Sequence, residues 1–243
     1  MIIPMAIANI ERVDIITEGS GVKIFNIDTA SEASMEANVS AGVDNELRVK
    51  NRILAQTFTE DILKGYNITF KDALLSPDFL EVIEGGTSTA YTNDATSLAR
   101  YDSSAAGNVS NRTRFWTYIY TAENDYNGDV LRYKMFMFPH CIGSPVSFSF
   151  RDGEFYSPSY TVKSKPKKGE SAFKIIDLAK LPIVVTSVAT MPASPVASET
   201  SILIAVTPTT LLGENQTVTD IFSDENVKKG NVAIWNGTKW NVR

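Results

Sequence analysis

The only histidine and the only cysteine of this chain are adjacent, at His140 and Cys141. A thiol activated by an imidazole is the nucleophile of many hydrolases. Neighbouring side chains of an extended segment point to opposite faces, however, and such enzymes bring the two groups together from distant parts of the chain. A zinc site needs about three or four ligands, and only these two soft ligands exist. We therefore expect no catalytic residue, metal or cofactor, with Cys141 a small buried residue and His140 a strand-end or turn residue after Pro139.

The acidic segment ENDYNGD is a candidate calcium loop, because Asp125, Asn127 and Asp129 offer oxygen ligands and Gly128 allows a sharp turn. The spacing departs from that of an EF-hand, and no helical pattern flanks it. A β-hairpin loop is the better interpretation.

Trp235 and Trp240 flank the dipeptide Asn236-Gly237, which is typical of a tight turn between two strands. Tryptophans paired across a short hairpin usually form its small core, whereas an exposed pair would stack on a sugar ring. Both interpretations stay open, so the two tryptophans are also a candidate surface for ligands.

The elements that carry these residues are mainly β-strands. Short aromatic and β-branched runs with period-two alternation predict strands at residues 22–27, 66–70, 115–120, 131–138, 146–150 and 155–162. The run LRYKMFMF, residues 131–138, is apolar on both faces near its end. It therefore needs cover on both sides, from a helix, another sheet or a neighbouring subunit.

One helix is predicted in LSPDFLEVIEGG. Ser76 can cap it, Pro77 fits the first helical position, and Gly85-Gly86 ends it. Its apolar stripe should pack against a sheet or barrel. Two polar stretches without a clear pattern, residues 32–57 and 86–113, predict long exposed connections.

The composition changes after Pro182, where Ser, Thr and Pro become frequent. We therefore predict a main β domain at residues 1–182 and a small, outward-facing β appendage at residues 187–243. The opening MIIPMAIANIER is too short for a membrane span and has no basic residue before its apolar run. It is interpreted as an N-terminal arm or first strand, with a signal peptide as the alternative.

The charge balance argues against a general nucleic-acid binder. The formal net charge is -5 and the isoelectric point is about 5.0, so no broad basic face is available for phosphates. A single cysteine excludes a disulfide framework within the chain and is compatible with a reducing cytoplasm.

Two segments resemble the major tail tube proteins of long-tailed bacteriophages. They are NELRVKNRILAQTFTEDILKGYNITFKDALLSPDFLEVIEGGT and RYKMFMFPHCIGSPVSFSFRDGEFYSPSYTVKSKPKKGE. The similarity spans residues 40–181, with a break at 86–113. Its most specific part is the second segment, where Ser159 replaces an expected acidic residue. Residues 187–243 lie outside the resemblance.

The resemblance implies a fold and an assembly. The fold would be a β-barrel or a sandwich of two sheets with one flanking helix. Six-membered rings of the chain would stack into a hollow tube through which DNA passes at ejection, without specific binding. The implied partners are further copies of the chain, a tape measure protein, and tail terminator or baseplate proteins, with no membrane. The protein would be assembled in the host cytoplasm and located in the virion tail.

The resemblance also implies contact residues. In this family a long loop between early strands reaches the adjacent subunit or ring. The corresponding positions of this chain are Glu46, Leu47, Arg48, Lys50 and Asn51. A second candidate set is the basic cluster Lys163, Lys165, Lys167 and Lys168, which would meet acidic patches of a neighbouring copy.

Two other classes of function remain open at this point. A surface adhesin or carbohydrate-binding β-sandwich would explain the Ser/Thr-rich stretch and the Trp hairpin but not the matched segments. The tube of a tail-like bacteriocin or of a secretion system would share the architecture. An enzyme is the last alternative, because it would depend on His140 or Cys141.

Overall fold

The computed structural model describes residues 8–19, 21–93, 96–107, 110 and 112–243. The predicted mainly-β class is confirmed. The opening MIIPMAIANIER was interpreted as an N-terminal arm or first strand; residues 1–7 lie outside the described residues, and residues 8–12 belong to the first strand. The helices are α1 (Pro77–Glu84) and the single turn α2 (Val218–Ile221), and two 3-10 turns lie at Val188–Thr190 and Pro208–Leu211. The strands are β1 (Ala8–Thr17), β2 (Ile24–Ile27), β3 (Glu32–Ser40), β4 (Asp44–Val49), β5 (Arg52–Phe58), β6 (Ile62–Lys71), β7 (Thr87–Asn93), β8 (Thr96–Asp102), β9 (Phe115–Asn124), β10 (Val130–Gly143), β11 (Ser159–Ser164), β12 (Lys174–Leu178), β13 (Ile183–Val185), β14 (Ser201–Ile204), β15 (Val232–Trp235) and β16 (Trp240–Val242).

The main sheet is antiparallel and has the strand order β2-β1-β9-β10-β11-β6-β3. One edge of the long strand β10 pairs with β9, and the other edge pairs with β12 and then with β11. Its first half pairs with β12, with Met135 opposite Ile176, and its end pairs with β11, with Cys141 opposite Ser164. Between these partners the register with β9 shifts. One strand can therefore hold two branches of the sheet.

One face of the main sheet wraps around α1. Ser76 Oγ accepts a hydrogen bond from the Phe79 N–H, and Gly85 ends the helix in the left-handed conformation at φ 80°, as predicted. The buried stripe Phe79, Leu80, Val82 and Ile83 joins one apolar core with residues of β1, β6, β9 and β10. At Gly143 a Cβ atom would lie 2.3 Å from the Ile83 carbonyl oxygen, so this glycine permits the close approach of helix and strand.

The opposite face of the main sheet is covered by the C-terminal part of the chain. Met135 and Met137 on β10 belong to a second buried cluster that also contains Leu203 on β14 and Val232 on β15. The buried Tyr118 hydroxyl donates a hydrogen bond of 2.7 Å to the Gly230 carbonyl across this junction. The prediction that β10 needs cover on both faces is thus confirmed, and the cover comes from α1 and from a second sheet of the same chain.

The second sheet has the strand order β13-β14-β15-β16 and a small core of its own that includes Phe222 and Trp240. It begins at Ile183, four residues before the predicted start of the appendage. We name residues 183–243 the C-terminal segment; its treatment as a separate domain stays a proposal.

Three predictions about the secondary structure were wrong. Residues 146–150 alternate like a strand, but the structure assigns no strand at residues 144–158, and β11 begins only at Ser159. Residues 32–57 are largely β-strand, and β7 (Thr87–Asn93) pairs with β8 (Thr96–Asp102) in antiparallel fashion. The prediction of a strand at residues 146–150 depended on alternation alone, but a strand also needs a neighbouring strand with which to form hydrogen bonds.

Candidate assembly surfaces

A long two-stranded arm projects from the main sheet. In its inner half β3 pairs with β6, from Glu32 opposite Lys71 to Ser40 opposite Ile62. In its outer half β4 pairs with β5, from Asp44 opposite Phe58 to the tip. Buried Ile68 and Phe70 fix the base in the core under α1. We call residues 32–71 the arm; every residue of β4 and β5 is exposed.

A joint separates the two halves of the arm. The backbone N–H of Gly42 donates to the Asp61 carboxylate at 2.7 Å, and that of Val43 donates to the Thr59 hydroxyl at 2.7 Å. A Cβ atom at position 42 would lie 1.7 Å from the Thr59 carbonyl oxygen. Only glycine therefore fits where the two strands approach each other most closely.

The arm exposes an unusual amount of apolar surface for a two-stranded element. Phe58 and Ile62 are each 67% exposed. Large apolar side chains with at least 45% exposure occur at ten positions of the arm: Met35, Val39, Val43, Leu47, Val49, Ile53, Leu54, Phe58, Ile62 and Leu63. An isolated two-stranded hairpin is at best marginally stable in water, and large exposed apolar surfaces usually mark sites of interaction. We therefore expect another surface to cover the arm.

The predicted contact residues of the arm lie at its outer end. Glu46, Leu47 and Arg48 are in β4, and Lys50 and Asn51 form the tip, where Lys50 has a positive φ of 51°. Arg48 and Glu46 form an ion pair within their own strand. All five residues are exposed, and their role in contacts between subunits stays a prediction.

The predicted lysine cluster divides into two parts. Lys163 lies on β11 and Lys165 follows this strand, with its N–H bonded to the His140 carbonyl at 3.3 Å. Lys167 and Lys168 instead line a cleft of about 690 Å³ between the main sheet and the C-terminal segment. Three lysines that the sequence reasoning missed complete its rim: Lys174, Lys228 and Lys229.

A repeated tripeptide is the signal that could have revealed this cleft. Lys-Lys-Gly occurs at residues 167–169 and again at residues 228–230. Both glycines have positive φ angles, 85° at Gly169 and 88° at Gly230, so both tripeptides end in tight turns. The fold brings the two turns to opposite sides of one cleft, which we name the lysine cleft.

The wall of the lysine cleft contains Trp116 and His140. Lys229 Nζ lies 5.9 Å from the centre of the Trp116 ring and donates to the Gly19 carbonyl at 3.1 Å. Partial burial lowers the pKa of Lys229, and the charge of Glu18 opposes this shift. Within the described part of the chain, none of the five lysines of the cleft lies within 4.0 Å of a carboxylate oxygen.

His140 and Cys141 do not form a catalytic pair. His140 lies inside β10 with φ 49°, so the prediction of a strand end was wrong. Its Nδ1 lies 2.7 Å from Glu18 Oε1, and its Nε2 lies 3.3 Å from Glu170 Oε2. Cys141 is fully buried, as predicted, and burial raises the pKa of its thiol to about 12. The thiol therefore stays protonated and is not a nucleophile at neutral pH.

The candidate calcium loop is the turn between β9 and β10. The Asp125 carboxylate accepts hydrogen bonds from the N–H groups of Asn127 at 2.8 Å and Asp129 at 2.9 Å. The hairpin interpretation is confirmed. Among the described residues, no group of three or more His, Cys, Asp or Glu side chains is arranged to hold a metal ion.

The two tryptophans face each other across the hairpin β15–β16, with ring centres 5.2 Å apart. Trp240 is only 3% exposed and forms part of the core of the C-terminal segment, which leaves no free ring face for a ligand. Trp235 is half-buried, and a surface role for it stays a prediction.

A second exposed apolar surface lies in residues 144–158. Phe148, Phe150 and Tyr156 pack on each other with ring centres 5.1–6.2 Å apart. Phe150 is 75% exposed, and Phe155 beside it is fully exposed. The chain itself leaves both this aromatic segment and the apolar side chains of the arm uncovered.

Comparison with known proteins gave only remote similarities. No described protein family matches the chain, and no curated protein sequence matches it. A chain of the six-fold symmetrised baseplate of the anti-feeding prophage is similar over 72% of this chain and 97% of its own length, with 8% identity and a TM-score of 0.37. A chain of the tube-terminating cap of the same particle is similar over 74% of this chain and 95% of its own length, with 12% identity and a TM-score of 0.36. Both TM-scores are below 0.5, so these two similarities are remote.

A search for membrane spans among the helices of the described residues finds none of sufficient length and hydrophobicity.

Proposed function

We propose that this protein is a structural subunit of a phage tail or tail-like particle, and specifically the subunit of its tube. Copies would form six-membered rings that stack into a hollow conduit for DNA. The observation that carries the proposal is the arm, whose apolar side chains are left uncovered by the chain itself. The resemblance to tail tube proteins includes this arm, because the matched stretch from Asn45 onward forms β4, β5 and β6.

Apolar burial would supply most of the assembly energy. Full burial of a side chain such as Leu, Ile or Phe contributes about 1.5–3 kcal/mol relative to its exposed state. An exposed ion pair contributes about 0.2–1 kcal/mol, and Arg48 already has a partner in Glu46. The apolar residues of the arm are therefore the principal contacts in this proposal, and Lys50 and Asn51 at the tip would set register and orientation.

The two apolar faces of β10 provide no argument for contact with a neighbouring subunit. A neighbouring subunit was one of three candidate covers for this strand, but the C-terminal segment already covers Met135 and Met137. The argument for self-assembly therefore rests on the arm and on the aromatic segment of residues 144–158. The outward position proposed for the C-terminal segment is compatible with its attachment to one face of the main sheet.

The remaining partners are proposed from the resemblance alone. They are a tape measure protein and tail terminator or baseplate proteins. DNA would pass without specific binding, since a chain of net charge -5 offers little to hold phosphates along a conduit. Assembly would occur in the host cytoplasm and the finished protein would reside in the tail. Capsid and terminase genes beside the coding sequence would distinguish a virus from a tail-like bacteriocin or secretion tube.

The experiment compares a variant of the arm with a control variant that changes an exposed apolar side chain elsewhere. Phe58→Ser with Ile62→Ser changes the arm, and Leu74→Ser changes a side chain that is 66% exposed outside it. Exposed substitutions of this kind alter the free energy of unfolding by no more than about 0.5 kcal/mol. By light scattering against concentration, the arm variant should remain monomeric while the Leu74 variant assembles like the wild type. Equal assembly of both variants would refute the role of the arm.

A further inference from the structure

The lysine cleft combines a cavity, a concentration of charge and an aromatic wall. Its lining contains Lys167, Lys168, Lys174, Lys228 and Lys229 but only one carboxylate, that of Glu170. This carboxylate is already engaged, because Oε2 accepts the Lys167 N–H at 3.0 Å and lies 3.3 Å from His140 Nε2. In a chain with a net charge of -5, the cleft thus gathers five lysines against the single lining carboxylate of Glu170 and the nearby charge of Glu18.

We infer that the lysine cleft binds the acidic β9–β10 turn, residues 125–129, of a second copy of this chain. The inference rests on the proposed function, since it names a contact by which copies assemble. The turn carries Asp125 and Asp129, and Tyr126 between them is fully exposed. Within the described residues, the Asp129 carboxylate has no hydrogen bond or ion pair.

The chemistry of the two surfaces is complementary. The lysine ammonium groups at the rim would pair with the two aspartates, and the Tyr126 ring would pack beside Trp116 on the wall. A cleft of about 690 Å³ is large enough to receive the tip of one turn. The hydrogen bonds that the Asp125 carboxylate accepts from the backbone N–H groups of Asn127 and Asp129 already hold the turn in shape, so little further ordering is needed on binding.

The positions of the two surfaces make the contact head-to-tail. Trp116 and His140 lie at one end of the β9–β10 hairpin, and the acidic turn lies at the other. The eight steps of the strand from Trp116 to Asn124 separate them by about 26 Å. A contact between opposite ends of one rigid element repeats in one direction and does not close on itself as a dimer. It would therefore join copies head to tail, in a closed ring or in a continuing filament, leaving the arm and the aromatic segment for the other contacts.

A charge exchange tests the inference. The cleft variant is Lys168→Glu with Lys228→Glu, and the turn variant is Tyr126→Lys with Asp129→Lys; Asp125 is kept because it holds the turn. Each variant alone should raise the concentration needed for assembly by more than about tenfold, because like charges would then meet. A protein carrying all four substitutions should assemble again, as should an equimolar mixture of the two variants. Matched controls are Lys180→Glu and Glu225→Lys, which lie outside both surfaces and should leave assembly unchanged.

Each outcome either supports or overturns the contact between the lysine cleft and the acidic turn. Loss in both variants with recovery in the combined protein supports the inference. Assembly of the cleft and turn variants at the wild-type concentration overturns it and leaves the proposed function intact. Loss in both variants without recovery in either exchange also overturns it, since the two surfaces would then not be partners. A wild-type protein that never assembles overturns the proposed function and this contact with it.

Discussion

Met137 and Phe138 are neighbours on β10, but they lie in different cores. Phe138 packs in the cluster beneath α1, and Met137 packs in the cluster beneath the C-terminal segment. The strand is consequently buried on both faces within one chain. The C-terminal segment supplies the cover for one of these faces, although it lies outside the region that resembles tail tube proteins.

Leu203→Ala should therefore destabilise the whole chain. Leu203 is fully buried at the junction between the two sheets, and a substitution of this kind costs about 2–5 kcal/mol through lost burial and the cavity left behind. Urea unfolding followed by circular dichroism would measure the change. Leu131→Ala, at a side chain that is 61% exposed, is the control. A decrease in the free energy of unfolding of less than about 1 kcal/mol would mean that the two sheets are not tightly packed at Leu203.

Asp14 should make stability depend on pH in an unusual direction. It is fully buried and accepts hydrogen bonds from Arg12 Nη2 at 2.8 Å and Asn26 Nδ2 at 2.7 Å. Burial outweighs these groups and raises its pKa above the ordinary value of 3.8. The folded state thus binds the proton more tightly than the unfolded state, so this contribution is full below pH 3.8 and is lost as the pH rises through the folded pKa.

The check on Asp14 is a pair of unfolding titrations. The free energy of unfolding of the wild type minus that of Asp14→Asn should fall between acid and neutral pH. A difference that stays constant over that range would show that Asp14 has the same pKa in both states. The comparison removes the ordinary carboxylates, which contribute equally to both proteins.

Cys141 should be unreactive in the folded protein. Its thiol is buried and its pKa is raised from 9.0 to about 12, so little thiolate forms at about pH 8. A chromogenic disulfide reagent should modify it only after unfolding in denaturant. Stability should also fall as the pH rises above 9.0, because the unfolded state ionises first. Rapid modification of the native protein would contradict the buried position.

Gly42→Ala should impair assembly through the shape of the arm. The new methyl group would overlap the Thr59 carbonyl, so the outer half of the arm would have to change direction. The joint lies outside the core, and we expect the free energy of unfolding to change by less than about 1 kcal/mol. Light scattering and urea unfolding would measure the two quantities. Ala41→Ser is the adjacent control, and normal assembly of Gly42→Ala would show that the direction of the outer half is unimportant.

Local signals in the sequence predicted the parts of the structure that depend on neighbouring residues. The helix from Ser76 to Gly85 is one such part, since its cap, first turn and ending lie within ten residues of each other. The turn at Asp125 is another, because its side chain bonds to the backbone two and four residues later. Such features need no knowledge of the rest of the fold.

Features that depend on remote partners were not predictable in this way. Residues 146–150 alternate correctly but form no strand. The segment that covers Met137 begins more than forty residues later in the chain, at Ile183. The lysine cleft joins two Lys-Lys-Gly turns that have 58 residues between them in the chain. In each case the deciding contact is long-range, and neither alternation nor composition encodes it.

The most direct test of the central proposal is negative-stain electron microscopy of the purified wild-type protein at rising concentration and at several salt levels. Assembly driven by the apolar arm should give six-membered rings or hollow tubes, and the contacts made by the arm should persist at high salt, since exposed ion pairs weaken there and apolar burial does not. A protein that stays monomeric and featureless at every concentration and salt level would contradict the proposal.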